Sequence, residues 1–267
     1  GIVAGTSITA VAMTEPGTGS DLSGIATKAV RDGDHYVLDG SKTFITNGIN
    51  ADLVIVAVRT GGHAHRGLSL IVVERGTPGF ERGRKLAKVG LHAQDTAELT
   101  FAGARVPAAN LLGGEGSGFT QLTANLTQER LSVAVGAVAA AATALDRTID
   151  HVRTRTAFGA PIGALQHTRF QIAELATEID IAQQYVDRCV TEHNQGMLGP
   201  VDAAKAKWWT TEMQWRVLDA CVQLHGGMGY MTEHPIARAW ADARVQRIYA
   251  GTTEIMKDLI GRSMKLG

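Results

Sequence analysis

The sequence predicts an α+β protein, a small β-barrel- or sandwich-like domain followed by an antiparallel four-helix bundle. Up to Pro107 the chain carries short runs rich in β-branched residues, separated by Gly, Asp, Asn and Pro, and such runs read as strands joined by turns. From Gly118 onward it changes to long stretches rich in Ala, Leu, Gln, Glu and Arg, the composition and spacing of helices. The two patterns are segregated, not alternating, which excludes a doubly wound nucleotide-binding fold.

Taken in order, SITAVAM, HYVLDG, DLVIVAVRT, LSLIVVE and AELTF are the strand-forming runs, and GGHAHRG, with His63 and His65, reads as a hairpin turn. Helices are expected over 118–153, 162–195, 200–226 and 234–265. The breaks fall at FGAPIG, NQGMLGP and GGMGYMTEHP, each holding Gly or Pro where a helix stops. Four such helices joined by short breaks suit an antiparallel bundle. The expected division is residues 1–112 for the β domain and 113–267 for the bundle.

A chain of 267 residues can bury a substantial core. Lys+Arg and Asp+Glu both number 26, which argues against a nucleic-acid or membrane-surface partner, since these call for a basic excess. Cys189 and Cys221 are the only cysteines; they suit a reducing compartment and cannot build a disulfide framework. No Cys/His cluster suggests a metal. No charged start precedes an apolar segment, and the Ala-rich run 136–144 is too short to span a bilayer. The expectation is a soluble cytoplasmic protein of bacterial type with no membrane span.

Candidate chemistry begins with Glu129 in QERLSVAVGA, spaced at helical intervals from Leu122, Leu126 and Val133. A carboxylate on an apolar stripe, if desolvated, becomes an effective proton acceptor; on the residues alone the commoner case is a glutamate at the stripe's edge, held by neighbouring Arg130 or by water. In PGTGSD, Gly17 and Gly19 permit close backbone approach to a flat or charged ligand, and Thr14 and Ser20 offer hydroxyls. The same segment is also an ordinary β-turn, and Arg155 in RTRTAFG a solvated helix-end charge.

The segments AMTEPGTGSDLSG, GSKTFITNG, RTRTAFGAPIGALQHTRFQIAEL, VQLHGGMGY and IYAGTTEIMKDLIGR stand in one order along the chain, and together they resemble acyl-CoA dehydrogenases over essentially the whole sequence. The resemblance implies FAD as cofactor. Met13, Thr14, Gly19 and Ser20 match positions at the flavin ring and pyrophosphate, Phe44 an aromatic position that packs on the isoalloxazine, and Thr46 one that reaches flavin N5. Many relatives have Trp where Phe44 stands, which keeps an aromatic face. Arg155, Phe158 and Gln166 match a contact to the FAD of a neighbouring subunit, Gln223 and Gly227 another, and Thr252 and Glu254 also fall at FAD positions. Substrate contacts are implied for Ser20, Arg130, Tyr249 and Gly251. A homo-oligomer follows, a dimer of dimers in the usual family assembly.

Many relatives carry the catalytic glutamate directly after the tyrosine of the IY motif, where this chain has Ala250. A long-chain and isovaleryl-like subset places the base on the first bundle helix, and Glu129 matches that position. The resemblance thus implies that Glu129 removes the α-proton of an acyl-CoA thioester while the Ala250 backbone amide binds its carbonyl oxygen, giving a trans-2-enoyl-CoA. The electrons pass to an electron-transfer flavoprotein. An acyl-CoA oxidase-like flavoenzyme and a non-catalytic oligomerisation or CoA-binding remnant are the alternatives. Relatives also have an N-terminal helical domain, and this sequence begins near the start of the second; the expectation is a chain without that first part, with an incomplete acyl pocket and an exposed apolar face.

Overall fold

The computed structural model describes residues 1–64 and 66–265, and they form two compact units, Gly1–Ala124 and Asn125 onward. In the first unit the strands are β1 (Thr9–Ala12), β2 (Lys28–Asp32), β3 (His35–Thr46), β4 (Leu53–Arg59), β5 (Leu68–Glu74), β6 (Phe80–Lys85), β7 (Thr96–Pro107) and β8 (Leu111–Leu112). They make one sheet in the order β6-β7-β3-β2-β4-β5-β8, with β1 pairing parallel to β4. Tyr36, Leu38, Val54, Val56, Ile71, Leu99 and Phe101 fill its core from alternate positions of their strands, and the other face of β4 and β5 is apolar as well, with Ala57, Leu68 and Leu70 in a second cluster.

Every strand expected from a β-branched run is present. The sequence pattern did not reveal β2 (KAVRD) and β6 (FERGRK), because almost every residue in both is exposed or half-exposed and more than half are charged. The turn expected around His63 joins the antiparallel pair β4 and β5; His65 lies outside the described residues.

Helix α1 (Gly118–Ala124) belongs to the strand unit. Its Phe119 and Leu122 pack with Ile25, Ala57, Leu68 and Leu70, so the contacts divide the chain after Ala124, later than the division expected after residue 112. The second unit holds α2 (Leu126–Thr154), a two-strand hairpin β9 (Thr156–Ala157) and β10 (Ala160–Pro161), then α3 (Gln166–Asn194), α4 (Pro200–His225), α5 (Pro235–Ala243) and α6 (Thr253–Ser263). The first expected helix is thus cut at Asn125. The last is cut into α5 and α6, because Ala250 and Gly251 adopt left-handed backbone (φ 52 and 93°) that no right-handed helix continues through.

Pro200 opens α4 at its first turn and Gly226 closes it at φ 59°, the asymmetric pair of signals expected at helix ends. By length and composition the 118–154 stretch could cross a membrane. Here the apolar face of α2 instead meets α4 and α3, with Ala134, Val138, Ala141 and Leu145 in one core with Leu175, Ala206, Met213 and Val217.

Candidate active site

In the strand unit the residues quoted around PGTGSD and KTFITN are tied together by a buried ion pair. Lys42 Nζ donates to Glu15 Oε1 at 2.7 Å and to the Met13 carbonyl at 3.0 Å. The same carboxylate accepts from the backbone amides of Ala26 (2.7 Å) and Thr27 (3.0 Å). Burial pushes the Glu15 carboxyl up, but the bonds from Lys42, Thr27 and Ala26 outweigh it and hold the carboxyl below its ordinary range. Burial also draws the Lys42 ammonium down to about 8 against the attraction of Glu15, so both groups are charged at neutral pH.

The pair fastens the 13–20 loop to β3, and Thr43 N–H adds a bond to the Thr14 carbonyl at 2.9 Å. Between Lys42 and Ile45 the register of β3 against β7 shifts. At that irregularity Phe44 takes φ 57° and stands 68% exposed; a bulge of this kind re-aims a side chain. Thr46, Gly19 and Ser20 are exposed nearby in sequence, Met13 and Thr14 half-buried. Ideal Cβ atoms on Gly17 and Gly19 would meet nothing within 4 Å, which leaves that backbone open to approach. The structure therefore gathers these six predicted positions on one loop and the strand it is tied to.

In the helical unit Glu129 lies in the first turn of α2. With Asn125, Gln128, Ser132, Val133, Tyr249 and Ala250 it lines an open cavity of about 560 Å³. The expected stripe is corrected in two ways. Leu122 sits on α1, in the other unit. The buried face of α2 runs through Arg130, Leu131, Ala134 and Val138, one position round from Glu129, which is itself exposed.

Arg130 is consequently the buried member of the QER segment, 7% exposed. Its Nε stands 3.5 Å from the Ala250 carbonyl, and burial lowers the pKa of its guanidinium while the Glu129 charge opposes that shift. The following carbonyl, of Gly251, accepts from Lys207 Nζ of α4 at 2.7 Å. Glu212, one helical turn and a half further along α4, accepts from Arg247 Nε (2.8 Å) and Thr253 Oγ1 (3.0 Å). The Thr252 hydroxyl caps α6 by accepting from Ile255 N–H. Segment 247–253 is thereby held from both sides. Gly251 takes φ 93°, a backbone conformation in which a side chain is strained, and a Cβ there would press on the tip of Met256, 2.5 Å from its Cε. The amides of Ala250 and Gly251 have no acceptor among the described residues. Sequence reasoning missed Lys207, although its spacing from Ala203, Thr210, Thr211 and Gln214 places it on the buried face of α4.

The remaining predicted residues fall at the other end of the helices. Arg155 follows α2, and Phe158 with Gly159 forms the two-residue turn of the β9–β10 hairpin, both at positive φ (53 and 82°), as a type I′ turn requires. Phe158 is 95% exposed. Gln166 opens α3; Gln223 ends α4 and Gly227 follows it; all three, like Arg155, are exposed. His151 of α2 stacks on His225 of α4 with centroids 4.2 Å apart, and His225 packs on His234 at 4.8 Å. These contacts bring the C-terminal ends of α2 and α4 together, just as Arg130 and Lys207 do for their N-terminal ends. At 1.5 Å per residue the 29-residue α2 is about 43 Å long. Glu129 and Ala250 are therefore separated from Arg155, Phe158, Gln166, Gln223 and Gly227 by nearly that length, with Thr252 and Glu254 at the Glu129 end.

Comparison with known proteins covers both units. A family model described as acyl-CoA dehydrogenase, middle domain, matches residues 10–104, and one described as acyl-CoA dehydrogenase, C-terminal domain, matches residues 116–265. The chain is 50% identical over 266 residues to the mitochondrial long-chain specific acyl-CoA dehydrogenase of Sus scrofa, spanning 98% of itself and 62% of that relative. Among solved structures it resembles an acyl-CoA dehydrogenase from Geobacillus kaustophilus, with a TM-score of 0.97, 55% identity, and coverage of 99% of this chain and 70% of that one. A chain from a structure described as the electron transferring flavoprotein of Acidaminococcus fermentans matches with a TM-score of 0.94 at 36% identity, over 98% of this chain and 70% of that one.

Proposed function

The chain belongs to the acyl-CoA dehydrogenase family, and from that premise we propose that it serves FAD-dependent α,β-dehydrogenation of an acyl-CoA thioester with Glu129 as the base. The observation that carries the proposal is the cavity where Glu129 from α2 meets Ala250 from the left-handed turn, whose amide is unpaired. A thioester α-proton is too weakly acidic for a carboxylate unless the charge that develops on the carbonyl oxygen is stabilised. A fixed amide facing the same cavity as the carboxylate supplies that stabilisation. Glu129 takes the α-proton onto its carboxylate, and Ala250 N–H donates to the thioester carbonyl oxygen. Tyr249 and Val133 give the cavity apolar wall against which the acyl carbons pack.

The residues present fit FAD. Phe44 offers an exposed aromatic face, Thr14 and Ser20 hydroxyls, and Gly17 and Gly19 open backbone. Arg155 offers a guanidinium fork suited to a pyrophosphate. When bound, FAD supplies the acceptor for the β-hydrogen and its electron pair. Arg155 and Gln223 lie too far along α2 and α4 from Glu129 for one dinucleotide to reach both ends. The two groups serve different active sites if the protein is a homodimer in which each chain completes its partner's cofactor site, with two dimers forming the tetramer. Exposed Phe158, Phe170, Met228 and Tyr230 suit such an assembly. Electrons then pass to an electron-transfer flavoprotein.

The test is the visible spectrum of the FAD-loaded protein before and after anaerobic addition of acyl-CoAs of several chain lengths. Bleaching of the flavin band supports the proposal; a flavin that no acyl-CoA bleaches overturns it, and stoichiometric peroxide under air assigns an oxidase instead.

A further inference from the structure

Helix α4 buries an ammonium group in a face otherwise made of Ala203, Ala204, Ala206, Thr210 and Met213. Lys207 is 0% exposed, and among the described residues no carboxylate lies within 4.0 Å of it. A buried charge without a counter-ion is unfavourable unless it is hydrogen-bonded to something that needs it. Its partner is the Gly251 carbonyl, at 2.7 Å. The preceding carbonyl, of Ala250, meets the other buried cation, Arg130. Two consecutive peptide planes are thus each met by a cation; the residue between them, Gly251, and the one before them, Ala250, are both left-handed. For alanine that conformation is disfavoured and relaxes unless the surroundings hold it. The peptide joined to the first of these planes carries the Ala250 N–H, which has no acceptor among the described residues, and Ala250 lines the same cavity as Glu129.

We propose that Lys207 is a positioning residue of the dehydrogenation: by gripping the Gly251 carbonyl it holds the Ala250–Gly251 turn left-handed, and so keeps the Ala250 amide aimed at the substrate's thioester oxygen. Lys207 touches neither substrate nor cofactor; it acts through the backbone. The inference rests on the acyl-CoA dehydrogenase reading given above. Burial draws the ammonium down to about 8, Arg130 pushing the same way and Glu212 and Glu254 opposing, so it is charged at neutral pH. The residues flanking the turn are secured separately by Glu212 of the same helix, through Arg247 and Thr253, which leaves Lys207 to set the turn and not the docking of α6.

The experiment compares FAD-loaded wild type with Lys207→Met, which keeps an unbranched side chain, one atom shorter, and removes the donor. The probe is a 3-thia-acyl-CoA labelled with ¹³C at the thioester carbonyl; its β-position sulfur leaves no hydrogen to transfer, so the bound carbonyl stretch can be read by difference infrared spectroscopy. Wild type should shift this band to lower frequency than in free ligand. Lys207→Met should keep FAD, bring the band back toward the free position and slow anaerobic flavin reduction on the order of 100-fold, the loss that a misplacement of about 1 Å brings. A folded Lys207→Met with wild-type band and rate overturns the proposal. If Lys207→Met does not fold, replacing Thr252 by its α-hydroxy acid turns the Gly251 carbonyl into a weaker ester acceptor with every side chain unchanged. A band shift in the same direction then supports the proposal, and a wild-type band and rate overturn it. Wild type that shifts the carbonyl yet is never reduced overturns the reaction assignment alone, and loss of that shift in the variant still supports the role of Lys207. Absence of any shift in wild type overturns both.

Discussion

Glu129 and Ala250 line one cavity from two directions, Glu129 from the first turn of α2 and Ala250 from a left-handed turn ahead of α6. A carboxylate and an amide that line one cavity can act on the two ends of a single Cα–C=O unit. Glu129→Gln keeps the size of the side chain and removes the base. Folding and FAD content should be unchanged while anaerobic flavin reduction slows by roughly 100- to 10,000-fold. Stopped-flow bleaching with a saturating acyl-CoA measures it, and a near-normal rate would sink the assignment.

Arg155 stands exposed just past the C-terminal end of α2, about 40 Å of helix away from Glu129. Arg155→Ala should leave the unfolding midpoint where it is, because the side chain buries nothing in its own unit. FAD affinity should fall by roughly 10- to 100-fold, the loss of a hydrogen bond to a charged group, and a flavin titration of the apoprotein reads this directly. Unchanged affinity returns Arg155 to the role of a solvated charge at a helix end.

The Lys42–Glu15 pair makes a separate prediction for the strand unit. Lys42→Met leaves a buried carboxylate with backbone donors but no counter-charge, and removing one partner of such a pair costs about 3–5 kcal/mol. Denaturant unfolding should show this at pH 7. In the wild type Glu15 is held below its ordinary range, so its contribution is present above the ordinary value of 4.5 and is lost as pH falls through the folded value. The gap between wild type and Lys42→Met should therefore narrow in acid; a gap that stays constant as pH falls well below 4.5 contradicts the assignment.

Much of this architecture was legible in the sequence because apolar periodicity marks whatever is half-buried. DLVIVAVRT and LSLIVVE announced β4 and β5, whereas FERGRK, exposed along nearly its whole length, offered no alternation to read. The site was legible in the same uneven way. Glu129 and Ala250 were found, but Glu129 was placed on an apolar stripe that the break at Asn125 interrupts, and the buried residue proved to be Arg130. Lysines are almost never fully buried, so nothing in the strand run singled out Lys42, and only its spacing along the buried face of α4 marked Lys207. Both are buried to hold backbone, Lys42 at the Met13 carbonyl and Lys207 at that of Gly251, and a long-range bond to a carbonyl leaves no mark on sequence.

The stacked imidazoles at the C-terminal ends of α2 and α4 predict how the helical unit responds to acid. Burial lowers the pKa of His151 and His225, and each is lowered further by the neighbouring cationic groups, His234 and Arg155 for the first and His151 and His234 for the second. The unfolded chain, with imidazoles at the ordinary 6.5, then binds protons before the folded one. Their contribution to stability is complete above that value and is lost as pH falls from 6.5 toward the folded values, by up to about 1.4 kcal/mol per pH unit for each imidazole. Urea midpoints between pH 7.5 and 5.5 test this. His151→Gln should flatten the dependence, and an equal slope in the variant removes the stack from the explanation.

The last prediction moves the base across the cavity. If Glu129 and Ala250 face the same substrate carbon, Glu129→Gly with Ala250→Glu should recover part of the flavin reduction lost in Glu129→Gly alone. The backbone permits it, since position 250 is already left-handed with a side chain in place, and glutamate adds no strain there that alanine does not. The amide at 250 also stays where the grips of Arg130 and Lys207 hold it, so the thioester oxygen keeps its donor while the carboxylate approaches from the other wall. Recovery should be incomplete. Arg130 Nε lies by the carbonyl of residue 250 and offers the new carboxylate a competing ion pair, which would turn it away from the α-proton, and the volume freed beside α2 should shift the preferred acyl chain length. Anaerobic bleaching with a panel of acyl-CoAs measures both effects. A double variant that binds FAD and acyl-CoA normally, yet bleaches no faster than Glu129→Gly, shows that the two walls of the cavity are not interchangeable.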